Sequence, residues 1–271
     1  MTLPRIGVFD SGVGGLTVLR ALASQLQAHY LYFGDTARLP YGTKSAETVA
    51  RYAISASKYL ETQSIDLLVI ACNSATALAL PEIQQAASVP VIGVVEPGAA
   101  MASQVSQSRS AIVIATEATV SSHAYQVALN QRGMEVYEKA CPLFVPLVEE
   151  GWLDHPVTEQ VARIYLEDAL TRAPHADVLV LACTHYPLIV PLLRRITPSD
   201  IQIVDSAEST AHAVNEALAT GRVLASVAES STTDHRTYRF FVTDSVDKFK
   251  RLATRFLGRQ VDHVEHVDLG G

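Results

Sequence analysis

Short apolar runs punctuate the chain, and segments of helical periodicity lie between them. The runs Arg5–Phe9, Tyr30–Gly34, Leu67–Ala71, Val89–Val95, Ser110–Ala115, Met134–Glu138, Val178–Ala182, Ile201–Val204 and Tyr238–Val242 predict strands. Several show no alternation of apolar and polar positions, which is the pattern of strands buried on both faces of a parallel sheet. Gly15–Gln27, Ser45–Gln63 and Thr158–Arg172 predict helices between them. Strand–helix alternation of this kind predicts an α/β fold. The Ser/Thr-rich stretch Ala225–Asp234 predicts a surface loop.

The pattern repeats internally. Asp66-Leu-Leu-Val-Ile-Ala-Cys72 reads almost as Asp177-Val-Leu-Val-Leu-Ala-Cys183, with both cysteines at the same offset. A fainter echo pairs Arg5-Ile-Gly-Val-Phe with Arg109-Ser-Ala-Ile-Val. Two similar α/β lobes follow, each a mostly parallel sheet flanked by helices, with a site in the cleft between them. Each cysteine stands at the carboxyl end of a buried strand, where ligands bind in open α/β sheets. In facing lobes the two sulfurs would enter one cleft from opposite sides.

That arrangement suits inversion of a carbon centre, which needs a base on one face and an acid on the other. A free thiol, with pKa ~8.5, is only slightly ionised at neutral pH, so each sulfur needs help. His185 stands two residues after Cys183, and Asp10 ends the first strand, within reach of Cys72. Asp10-Ser-Gly-Val-Gly-Gly15 leads into a helix, where glycines and a helix N-terminus favour an anion. Its spacing fits neither G-x-G-x-x-G nor a Walker loop, and a carboxylate fits as well as a phosphate. Polar turns at Gly34–Gly42, Asn73–Thr76, Thr116–Thr119 and Thr184–His185 add hydroxyls and backbone N–H groups at other strand ends.

Composition narrows the alternatives. The 271 residues are 48% hydrophobic and 18% charged, which is enough apolar matter for a large core and argues against disorder. The net charge of −7, with no Lys/Arg block, argues against nucleic acid as a partner. The longest apolar stretch, Leu67–Leu80, is interrupted by Asn73, Ser74 and Thr76 and is too short to span a membrane. The chain opens directly into a strand without a secretory signal, and three cysteines cannot all pair. The expectation is a cytoplasmic protein with free thiols. Cys141, before Pro142, reads as a structural or loop thiol. Cys183-x-His185 and His263-x-x-His266 have ligand-like spacing, but neither completes a metal site. None of the five lysines ends a buried strand as a Schiff-base lysine would. No cofactor and no metal are expected.

The segments FDSGVGG, FGDTARLPYG, VIACNSATA, VVEPG, FVPLVEEG and VLACTHYPL, between residues 9 and 189, resemble those of the glutamate racemases in the aspartate/glutamate racemase superfamily. The resemblance implies a cofactor-independent isomerase that interconverts L- and D-glutamate by two-base 1,1-proton transfer at Cα, supplying D-glutamate for peptidoglycan. It implies that Cys72 and Cys183 are the acid/base pair, with Asp10 assisting Cys72 and His185 assisting Cys183. It implies substrate contacts from Asp10, Ser11, Tyr41, Gly42, Asn73, Ser74, Thr76, Thr116, Thr119, Glu150, Thr184 and His185. It places residues 1–97 and 208–271 in the first lobe and 98–207 in the second, with linkers near Gly98 and Glu208. Ser74 stands where the family usually has Thr, keeping the hydroxyl, and Ala115 where it usually has Gly. A racemase of aspartate or another small acid, and a non-catalytic amino-acid-binding protein on the same fold, are the alternatives. Glutamate is the expected small-molecule partner, and a homodimer is the oligomeric state left open.

Overall fold

The computed structural model describes residues 3–221 and 236–270. The predicted loop Ala225–Asp234 lies outside the described residues. Two parallel sheets form the frame. The first runs, edge to edge, β10 (Glu265–His266), β9 (Thr237–Val242), β2 (His29–Gly34), β1 (Arg5–Asp10), β3 (Leu67–Ile70), β4 (Val91–Gly93). The second runs β6 (Glu135–Ala140), β5 (Ser110–Ala115), β7 (Val178–Ala182), β8 (Gln202–Asp205). Strands β3, β5 and β7 are buried along their whole length, as their unbroken apolar runs require. Edge strand β6, EVYEKA, is polar and only half-buried, which blunts an edge open to pairing.

The helices around the first sheet are α1 (Leu16–Gln25), α2 (Ala46–Thr62) and α3 (Asn73–Ala86). Next come α4 (Val95–Val105), α5 (Glu117–Ser122), α6 (Ala124–Asn130), α7 (Phe144–Glu150), α8 (Pro156–Arg172) and α9 (Val190–Ile196), followed by α10 (Ser206–Ala219) and α11 (Val246–Leu257). The predicted strand Val89–Val95 shortens because Val95 already begins α4. Helix α8 starts two residues before the expected Thr158, since Pro156 fits the first helical position and the His155 ring accepts from Val157 N.

The internal repeat is a topological one. The order β2-β1-β3-β4 in the first sheet matches β6-β5-β7-β8 in the second. Leu68 pairs with Gly7, and its counterpart Leu179 pairs with Ile112. The fainter echo is therefore one residue out of register: Arg5 corresponds to Ser110, not Arg109. The shared aspartates do the same job in both copies. Asp66 N–H donates to Arg5 O and its carboxylate accepts from Arg5 N at 2.7 Å. Asp177 N–H donates to Ser110 O, and its carboxylate accepts from Ser106 Oγ and from the N–H groups of Gln107 and Ser108.

Both crossings between the sheets run through helices. Gly98 lies within α4 and Glu208 within α10, rather than in open linkers. One apolar cluster passes between the sheets, joining Leu16 and Leu19 of α1, Val214 of α10 and Phe249 and Phe256 of α11 to Leu179 and Leu181 of β7. Burial at ~25 cal/mol per Å² of apolar surface makes this seam a main source of interlobe cohesion.

Candidate active site between the two sheets

The carboxyl ends of β1, β3, β5 and β7 converge on a cavity of about 310 Å³. Cys72 and Cys183 both line it, each 5% exposed, one from each sheet. Ser11, Tyr41, Gly42, Asn73, Ser74, Thr116, Thr184 and His185 also line it, as do Glu117 and Glu149. Among the described residues, no Lys or Arg does. An anion in this cavity therefore finds its donors in hydroxyls, the Asn73 amide, backbone N–H groups and the His185 ring.

Each sulfur has its own surroundings. Cys72 caps the N-terminus of α3: its Sγ accepts from Ala75 N at 3.4 Å and donates to Ser11 Oγ at 3.5 Å. Burial pushes its thiol up to about 11, Asp10 adds to this, and hydrogen bonds with Ser11 and with the Ala75 N–H of α3 pull it back. Burial also raises Cys183, against the opposing pull of the His185 N–H. Both groups therefore rest as neutral thiols at neutral pH.

Asp10 sits behind the lining rather than in it, 1% exposed. Its Oδ2 accepts from Gly12 N at 2.9 Å, and among the described residues Oδ1 has no partner. Burial raises its carboxyl, opposed by the Gly12 N–H and by His185. Gly15 makes room for it, since a Cβ there would lie 2.6 Å from Asp10 Cβ. The His185 ring is held edge-on against Phe256 of α11, and its Nε2 lies 3.2 Å from Glu149 Oε1. Hydrogen bonding to His185 lowers the Glu149 carboxyl, and Lys248 of α11 helps at 3.3 Å.

The hydroxyls of Ser74 (α3), Thr116 and Thr119 (α5) form a mutually bonded triangle across the lobes, with O···O distances of 3.0, 3.3 and 3.0 Å. Thr119 is fully buried and reaches the cavity only through this triangle. Thr76 turns away: its Oγ1 donates to Ile70 O and accepts from Val94 N, tying β3 to the start of α4. Glu150 is exposed and outside the lining, whereas Glu149 is inside it. The helical phase of α7 explains this, because Val145, Pro146 and Glu149 share the face that lines the cavity and Glu150 falls about 100° away. That spacing was the available signal for Glu149. Asp35, fully buried, anchors the loop carrying Tyr41 and Gly42 by accepting from Tyr41 Oη at 2.5 Å, Arg38 Nε at 2.9 Å and Thr243 Oγ1 at 2.9 Å. No local pattern announces a carboxylate whose third donor is 208 residues away.

A sequence model of the Asp/Glu/Hydantoin racemase family matches residues 6–214. The chain belongs to this family. It is 60% identical to a glutamate racemase of Koribacter versatilis, over 99% of this chain and 98% of that one. A crystal structure of a glutamate racemase from Francisella tularensis in complex with D-glutamate superposes with a TM-score of 0.88 at 36% identity, covering 99% of both chains. A glutamate racemase isoform from Bacillus anthracis gives 0.90 at 37% identity, covering 98% of both. With relatives this similar along the whole chain, the protein is an amino-acid racemase, and its two-lobed α/β fold is theirs. Among the described residues no helix is long and apolar enough to cross a membrane.

Proposed function

We propose that this racemase interconverts L- and D-glutamate without a cofactor, by proton transfer between two thiols. The observation that carries the reading is that Cys72 and Cys183 line one cavity from opposite sheets, each at the end of an equivalent strand. On L-glutamate, Cys183 as thiolate takes the α-proton and Cys72 as thiol delivers one to the opposite face; on D-glutamate the roles exchange. The electron pair left at Cα spreads into the α-carboxylate, where the α3 N-terminus and the neutral donors around it stabilise the charge. Asp10 and His185 move or hold the proton that each buried thiol must release. The first lobe comprises residues 1–97 and 208–271 and the second 98–207, so that closure expels water from the cavity. In this reading the reaction runs in the cytoplasm and supplies D-glutamate for peptidoglycan.

The test starts from unlabelled L-glutamate in deuterated water, stopped at low conversion. The D-glutamate formed should carry deuterium at Cα while the remaining L-glutamate stays largely unlabelled, and the reverse reaction should mirror this. Cys72→Ala and Cys183→Ala should each abolish racemisation. Return of the original proton to product, or racemisation by either variant, would refute the two-thiol assignment. A parallel assay with aspartate tests the choice of acid.

A further inference from the structure

Tyr125 lies at the start of α6 in the second sheet's half of the molecule, 0% exposed and outside the cavity lining. Its hydroxyl donates to Asn73 Oδ1 at 2.7 Å, across the seam between the lobes. Burial raises the phenol far above its ordinary value, so it stays protonated at any working pH. Room for the ring comes from Gly98 of α4, where a Cβ would lie 3.2 Å from both Cε1 and Oη of Tyr125. On its other side, Asn73 Nδ2 donates to Ser206 Oγ at 3.2 Å, at the fully buried start of α10.

A primary amide carries two N–H donors on nitrogen and an acceptor oxygen. Here the oxygen is engaged by Tyr125 and one N–H by Ser206, leaving one N–H. Asn73 is the first residue of α3, directly after Cys72, and it lines the cavity. We propose that Tyr125 is a positioning residue for the racemase: by donating to Asn73 Oδ1 it fixes the amide so that the remaining N–H faces the cavity as a donor to a substrate carboxylate. Rotating the amide by half a turn would present oxygen to that carboxylate and replace attraction with repulsion. Because no Lys or Arg lines the cavity among the described residues, the two carboxylates of an acidic amino acid depend on such neutral donors, and the orientation of each matters. The inference rests on the glutamate reading above.

The experiment compares wild type, Tyr125→Phe, Asn73→Ala and the double variant. It measures binding of D-glutamate by calorimetry, together with KM and kcat in both directions. Tyr125→Phe keeps the ring and removes only the hydroxyl. The dissociation constant and both KM values should rise about tenfold, the scale of one hydrogen bond to a charged group, with kcat changed much less. In the Asn73→Ala background the same substitution should change neither, because no amide remains to be oriented. Ser206→Ala, which removes the other anchor, should raise KM to a smaller degree and again only when Asn73 is present. It serves in place of Tyr125→Phe should that variant not fold. A kcat loss at unchanged KM, no change at all, or an effect that persists without Asn73 would overturn the proposal. Wild type that binds glutamate without racemising it would sink the functional reading alone, and wild type that does not bind glutamate would sink both.

Discussion

Replacing Gly14 with alanine isolates how tightly the two halves of the site are pressed together. Gly14 does not occupy the left-handed backbone region, so alanine costs nothing in φ. Its added Cβ, however, would lie 2.2 Å from Thr184 Oγ1 and 2.6 Å from His185 Nδ1. Ordinary contact begins near 3.4 Å, so Thr184 must retreat by the difference, 3.4 − 2.2, or about 1.2 Å. The Thr184 hydroxyl has some freedom to turn. The His185 ring has little, because Phe256 packs against its edge and Glu149 holds Nε2. Strain of this kind in a packed site costs about 1–3 kcal/mol, which in a chain of this size lowers Tm by roughly 2–12 °C. A displacement of about 1 Å in reacting groups costs about 10²-fold in rate, so Gly14→Ala should lose one to two orders of magnitude in kcat/KM while remaining folded at assay temperature. Calorimetry and a racemisation assay followed by circular dichroism would measure both quantities. Wild-type Tm and wild-type kcat/KM together would refute the close approach of the DSGVGG turn to Thr184 and His185.

Two further outcomes follow from the site. Glu149→Gln should lower turnover by about tenfold or more, within the ~10²–10⁴-fold span of acid–base groups, whereas exposed Glu150→Gln should leave activity unchanged and stability within about 0.5 kcal/mol; steady-state kinetics on the pair decides, and the opposite ranking would overturn the helical phase assigned to α7. Burial of Cys72 predicts a loss of stability on the alkaline side. The folded thiol, pushed up to about 11, keeps a proton that the unfolded chain releases from ~8.5 upward. Its contribution is intact below the unfolded value and falls away as pH rises through that window, by up to about 3 kcal/mol. Denaturant titrations at about pH 8 and about pH 10.5 should show wild type losing more stability than Cys72→Ala, and equal losses would remove the buried-thiol account.

Much of the molecule is determined by the sequence alone, and the reason is local. Unbroken apolar runs can be satisfied only by strands covered on both faces, so β3, β5 and β7 were legible. The two Asp-to-Cys segments carried their repeat because strand ends and helix starts are set by neighbouring residues. Ser11, Asn73, Thr116 and Thr184 could be placed at strand ends for the same reason. Tertiary structure decided what depends on phase and on distant partners. The register of β5 against β7 corrected the fainter repeat by one residue, since a period-two pattern cannot show slippage in a run without alternation. The phase of α7 chose Glu149 over Glu150, two identical side chains separated only by a helical step. Thr76 faces the backbone of β3 and α4, although its place in the motif looks equivalent to that of Ser74. Asp35 meets Thr243 only because β9 returns to pair with β2, and Asn73 meets Tyr125 and Ser206 only where the two halves face each other. Their hydrogen bonds are between residues far apart in the chain, and no neighbouring residue records them.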